Sequence, residues 1–96
     1  MAIIRIVKMH FRDEDVPAFL KAFSEKEQFI LNSPGCTGLS LLRSLNEPAI
    51  FFTYSHWVDE GALHAYRESD LFKETWAFVK PLFANRAEAW SMEEIR

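Results

Sequence analysis

Cysteine is nearly absent from this 96-residue sequence: Cys36 is alone, so no internal disulfide can form and a reducing cytoplasm is the expected setting. No run approaches the roughly 18 apolar residues of a membrane span. No positively charged start leads into an apolar stretch of signal-peptide length. An excess of basic charge is lacking too. Eleven basic and 14 acidic residues are scattered to a net charge of -3, which leaves no electrostatic footprint for nucleic acid. No flavin, nicotinamide or metal motif occurs, so no cofactor is expected. The length predicts one domain over residues 1–96 without a linker. What the chain has in quantity is apolar surface: 49% hydrophobic residues and 15% aromatics, with nine Phe, three Trp and two Tyr. A domain this small buries a modest fraction of its surface, so part of that surplus is expected to meet a partner subunit or a ligand.

Ile3 to Phe11 read as a strand, with Ile3, Arg5, Val7, Met9 and Phe11 on one face and Ile4, Ile6, Lys8 and His10 on the other. Asp13 to Asp15 are candidate helix caps and Pro17 suits a first turn. Val16, Phe19, Leu20, Phe23, Ile30 and Leu31 then predict an amphipathic helix ending near Asn32, stopped by Ser33-Pro34-Gly35. Thr37 to Ser44 and Ala49 to Trp57 read as a hairpin across Leu45-Asn46-Glu47-Pro48. Its second strand places Ile50, Phe52, Tyr54 and His56 opposite Phe51, Thr53, Ser55 and Trp57. Asp59 and Glu60 open a short helix to about Tyr66, and Ser69 caps another to about Phe83, with a break at Pro81. Its stripe is Leu71, Thr75, Phe78, Val79 and Leu82, with Phe72 and Trp76 beside it. Ala87 to Met92 reads as a last strand.

The order β-α-β-β-α-β predicts a ferredoxin-like α+β fold, a four-stranded antiparallel sheet with helices on one face. Ile4, Ile6, Phe52 and Tyr54 leave the other face too apolar for water, and the sheet of a second copy is the economical cover. A homodimer is therefore expected.

Pro34-Gly35-Cys36-Thr37-Gly38-Leu39, a strand ending in Trp57, and then Asp59-Glu60-Gly61-Ala62-Leu63 resemble the antibiotic biosynthesis monooxygenase (ABM) family. The resemblance covers nearly the whole chain. It implies a dimeric α+β barrel with a pocket between sheet and helices of each subunit, and activities that include cofactor-independent oxygenation of aromatic or quinol-type molecules and heme degradation. Many such sequences carry histidines where this chain has Tyr66 and Leu71. Ser69-Asp70-Leu71-Phe72-Lys73 resembles the heme-degrading branch, but that branch's functional asparagine, tryptophan and histidine fall on Val7, Tyr66 and Trp76, and the iron-ligating imidazole is missing.

The resemblance places Tyr66 and Trp76 on the helical wall of the pocket, where a phenol could hydrogen-bond an enolate or phenolate and an indole N–H could orient a carbonyl. Otherwise they are core aromatics. His64, one turn away, is the titrating candidate near neutral pH and points either at solvent or at the cavity mouth. Arg5 either anchors an acidic ligand or pairs with a helix glutamate. Val7, Phe23, Trp57 and Phe72 complete the expected ligand site, Phe23, Trp57 and Phe72 having plain core packing as their other reading. His10, His56 and His64 have no metal-ligand spacing, and His10 and His56 fall on the face expected to pair. Cys36 has no nucleophile's surroundings. Two functions fit: a cofactor-free monooxygenase acting on an aromatic or quinol-type molecule, or a non-catalytic dimeric module that binds a hydrophobic metabolite. An isomerase or cyclase on a similar substrate would need only the same fold and an acid–base pair.

Overall fold

A computed structural model describes residues 2–96. The chain runs β1 (Ile3–Phe11), α1 (Val16–Leu31), β2 (Cys36–Arg43), β3 (Ile50–Trp57), α2 (Glu60–Arg67), α3 (Asp70–Val79) and β4 (Phe83–Glu93). All neighbouring strands are antiparallel, in the spatial order β2-β3-β1-β4. This is the expected ferredoxin-like α+β arrangement. Among the described residues no helix is long and apolar enough to cross a membrane.

Alternation in β1 does what its sequence requires. Ile3, Met9 and Phe11 are buried beneath the helices, while Ile4, Ile6 and Lys8 lie on the open side against His56, Tyr54 and Phe52 of β3 and Met92, Trp90 and Glu88 of β4. Trp90 and Met92 are each 44% exposed there, and Leu42 is 49% exposed. Under the helices, Phe11 stacks on Phe19 at 4.1 Å and meets Phe51 edge-on at 5.9 Å. Phe23, Met9 and Val79 complete this cluster. The Arg43 guanidinium lies 4.8 Å from the centre of the Phe51 ring, a cation–π contact.

The helix starts show which local signals acted. Asp59 Oδ1 accepts from the Ala62 N–H at 2.8 Å, and Ser69 Oγ accepts from the Phe72 N–H at 3.2 Å, so both of these helices are side-chain capped. Asp13 to Asp15 do not cap α1. They form a 3-10 turn, and the Asp15 carboxylate is taken at 2.7 Å by Arg12, which also donates to the Pro81 carbonyl. Pro81 ends α3 in a 3-10 turn, and Phe83 starts β4 rather than closing the helix. Phe78 leaves the expected stripe and is 54% exposed. With Trp76 and Val79 turned inward, a residue two positions after Trp76 lies about 200° around the helix. Gly35 turns the chain from α1 into β2 with φ +83°, and an added Cβ would collide with the Ala62 side chain on α2.

Candidate functional site

Between the helix-facing side of the sheet and the three helices lies a partly open cavity of about 340 Å³, near the lower end of the roughly 300–1,000 Å³ of small-molecule sites. Its sheet side mixes small residues, Val7 from β1, Thr53 and Ser55 from β3 and Ala87 and Ala89 from β4, with the larger Arg5, Met9, Leu39 and Trp57. An aromatic row runs from the end of β3 along α2 and α3. Trp57 stacks on Tyr66 with ring centres 4.9 Å apart, Tyr66 meets Phe72 edge-on at 5.3 Å, and Phe72 lies parallel to Trp76 at 6.0 Å. The helix register sets this wall, because Phe72 and Trp76 are four residues apart on α3 and share one face.

Polar groups in the lining are few. The Trp57 indole N–H donates to Ser55 Oγ at 2.9 Å, which satisfies a side chain only 1% exposed and makes Trp57 a wall held by the core. The Tyr66 phenol is different. Burial, with a smaller effect of nearby Cys36, pushes its pKa up to about 12, so at neutral pH it is a proton-bearing hydrogen-bond donor rather than a base. Burial also raises the Cys36 thiol, which donates to the Gly38 carbonyl at 3.6 Å and is no thiolate nucleophile near neutral pH. Arg5 reaches Ser91 Oγ at 2.8 Å, not a helix glutamate, and burial together with the positive charge of Arg67 lowers its pKa. Thr75 Oγ1 is buried without a hydrogen-bond partner.

Seven of the residues singled out from sequence meet around this one space: Arg5, Val7, Phe23 and Trp57 together with Tyr66, Phe72 and Trp76. His64 does not join them. It is exposed on α2, outside the cavity lining. His10 accepts or donates at Nδ1 with the Asn85 amide at 2.6 Å, and it shares the open sheet face with His56. The lining residues that were not singled out as site residues include Arg67 and Thr75. Thr75 left a trace in the sequence as a hydroxyl inside an apolar stripe. Arg67 left none, since an arginine ending a short helix reads as a solvated charge.

An antiparallel sheet with helices on one face and a ligand-sized aromatic cavity between them defines a class of α+β domain, and the sequence match narrows it. Residues 2–77 match the model of the antibiotic biosynthesis monooxygenase family, and the chain belongs to that family. A heme-degrading monooxygenase from Listeria monocytogenes is 30% identical over 87 residues, 91% of this chain. This chain spans only 50% of that relative's length. A conserved protein from Methanosarcina mazei superposes with a TM-score of 0.93 at 24% identity, over 98% of this chain and 93% of its own. SnoaB, a cofactor-independent oxygenase from Streptomyces nogalater, superposes with a TM-score of 0.86 at 17% identity, over 99% and 94%. At these identities the two superpositions establish the fold alone.

Proposed function

We propose that this chain is a cofactor-independent monooxygenase of an aromatic or quinol-type small molecule, acting as a homodimer joined through its open sheet faces. The observation that carries the reading is the aromatic-walled cavity of about 340 Å³ with the protonated Tyr66 phenol on its wall. A substrate ring lies along Tyr66, Phe72 and Trp76. The Tyr66 O–H donates to the substrate's enolate or phenolate oxygen, and the Trp76 N–H orients a second oxygen. In an anthrone-like phenol, once the ring CH2 has lost its proton to water entering the partly open cavity, the substrate carbanion itself reduces dioxygen and a C–O bond forms. Protonation of the peroxide and loss of water leave a carbonyl at that carbon.

The cofactor-independent activity named for SnoaB supports this reading on the shared fold. The activity named for the Listeria relative is less well supported by the residues here. No histidine lines the cavity among the described residues, and heme iron is held by an axial side chain. The apolar open face, with Ile4, Ile6, Trp90 and Met92 in adjacent rows, supports the homodimer. The half-buried lone thiol of Cys36 suits the cytoplasm.

Oxygen uptake with a panel of hydroquinones and anthrone-like phenols tests the activity. Uptake should be lost in the Tyr66→Phe, Trp76→Phe double variant, and uptake no greater than that variant's would end the oxygenase reading. The absence of an imidazole from the lining favours a second reading, a dimeric binding module for a hydrophobic metabolite. Native mass spectrometry separates the two, because a module releases its ligand unchanged after incubation in air.

A further inference from the structure

We infer that Arg5 and Arg67 form an anion-binding element in this cavity, so that its ligand is an aromatic molecule bearing an anionic oxygen, either a carboxylate or an ionised phenol. The ligand's rings lie on the Tyr66, Phe72 and Trp76 wall while the charged oxygen faces the two guanidiniums. This rests on the cavity being a ligand site, as proposed above, but not on the ligand being oxygenated.

Arg5 comes from the middle of β1 and Arg67 from the end of α2, and both line the cavity. Neither guanidinium has a carboxylate partner among the described residues. The ion pairs there are Lys8 with Glu88, Arg12 with Glu14 and Asp15, and Lys73 with Glu68. Glu88, the one acidic residue of the lining, is thus engaged by Lys8 at 3.8 Å. Arg5 spends one donor on the neutral Ser91 hydroxyl at 2.8 Å and keeps the rest of a five-donor fork. Two unneutralised cations beside an apolar cavity repel each other, and a ligand anion relieves that repulsion. A planar fork also matches an aromatic carboxylate or phenolate in geometry.

The test compares naphthoate with naphthamide, two probes of the same shape and different charge, by titration calorimetry. Naphthoate should bind about tenfold or more tighter, the effect of one charge-assisted hydrogen-bond set. Arg67→Gln and Arg5→Gln should each weaken naphthoate about tenfold and leave naphthamide within about twofold, with Arg5→Lys between wild type and Arg5→Gln. Arg67 is exposed, so Arg67→Gln keeps the test valid if Arg5→Gln fails to fold, as circular dichroism would reveal. A para-nitrophenol titration separates the sources of charge. Ionisation of the bound phenol moved to lower pH, and moved back by Arg67→Gln, assigns the phenolate; selective naphthoate binding without that movement assigns the carboxylate. Equal affinity for acid and amide, equal losses for both probes in the variants, or no binding of either probe would overturn the inference. Selective naphthoate binding with no oxygen uptake from the panel of hydroquinones and anthrone-like phenols would instead overturn the oxygenase reading and leave the anion site standing.

Discussion

Thr75→Val should make the protein more stable, which is the reverse of the usual outcome of a substitution inside a core. Thr75 Oγ1 is buried and has no hydrogen-bond partner, and a buried hydroxyl in that state costs about 1–3 kcal/mol. Valine keeps the branched shape, and its helix propensity is close to that of threonine, so α3 gives back little of the gain. Allowing for relaxation around the site, the expected net effect is about 1 kcal/mol. Urea unfolding at one fixed protein concentration reads it directly, since any coupling to dimerisation then cancels. With slopes of about 1–3 kcal/mol per M for small proteins, the midpoint should rise by roughly 0.5–1 M with the slope unchanged. An unchanged or lower midpoint would refute the reasoning, because it would mean that in solution the hydroxyl has a partner, such as a carbonyl of the preceding helical turn.

Other perturbations are as definite. The Tyr66 pKa is raised to about 12 from an ordinary 10, so the folded state holds that proton more tightly. Its stabilising contribution is complete below pH 10 and is lost as pH rises towards 12. Tyr66→Phe should abolish roughly 2–3 kcal/mol of the alkaline fall in stability, measured as the difference between the two proteins' urea midpoints across that range. Gly35→Ala combines a left-handed backbone with a Cβ that collides with Ala62; a loss of about 2–4 kcal/mol should appear in thermal unfolding as a fall of roughly 10 °C or more. Trp90→Glu places a charge on the open face, on the edge strand β4 beside Ile6. It should weaken the proposed dimer at least about a hundredfold, giving monomers by light scattering with an unchanged circular dichroism spectrum.

Strand and cap signals were legible because each is local. The two faces of β1 separate by simple alternation, and Asp59 and Ser69 cap their helices with their own side chains. Where a rival partner stands nearby, local reading fails. Asp15 looks like a cap until Arg12 takes its carboxylate, and that arginine is in turn held by Pro81, distant in sequence. Helix rotation was legible only in part. Leu71, Thr75, Phe78 and Val79 form a plausible stripe on paper, but α3 turns Phe72, Trp76 and Val79 towards the sheet, so Phe78 faces water. Seven residues of the cavity could be named beforehand, because strand alternation points Arg5, Val7 and Trp57 to the helix side, helical spacing turns Phe23 inward, and the family resemblance places Tyr66 and Trp76, with Phe72 beside them, on the helical wall. Arg67 could not, since only the folding of α2 against the sheet brings it beside Arg5.

The placement of large and small side chains bears on why the cavity exists at all. Left dry and enclosed, about 340 Å³ at roughly 24 cal/mol per Å³ would cost about 8 kcal/mol, comparable with the whole net stability of an ordinary domain, about 5–15 kcal/mol. The chain does not lack material to fill it. Phe29 and Phe78 are 63% and 54% exposed on the outer faces of α1 and α3, while Val7, Thr53, Ser55, Ala87 and Ala89 line the cavity from the sheet. A sequence selected only for stability would exchange those positions, larger residues inward and smaller ones outward. Small sheet residues opposite the stacked Tyr66, Phe72 and Trp76 leave part of that space unfilled. The part-buried Arg5 guanidinium, beside the positive charge of Arg67, adds a second cost that an entering anion offsets. Both costs fall when an aromatic anion enters, which is the physical reason for reading the space as a binding site rather than as a defect of a small core.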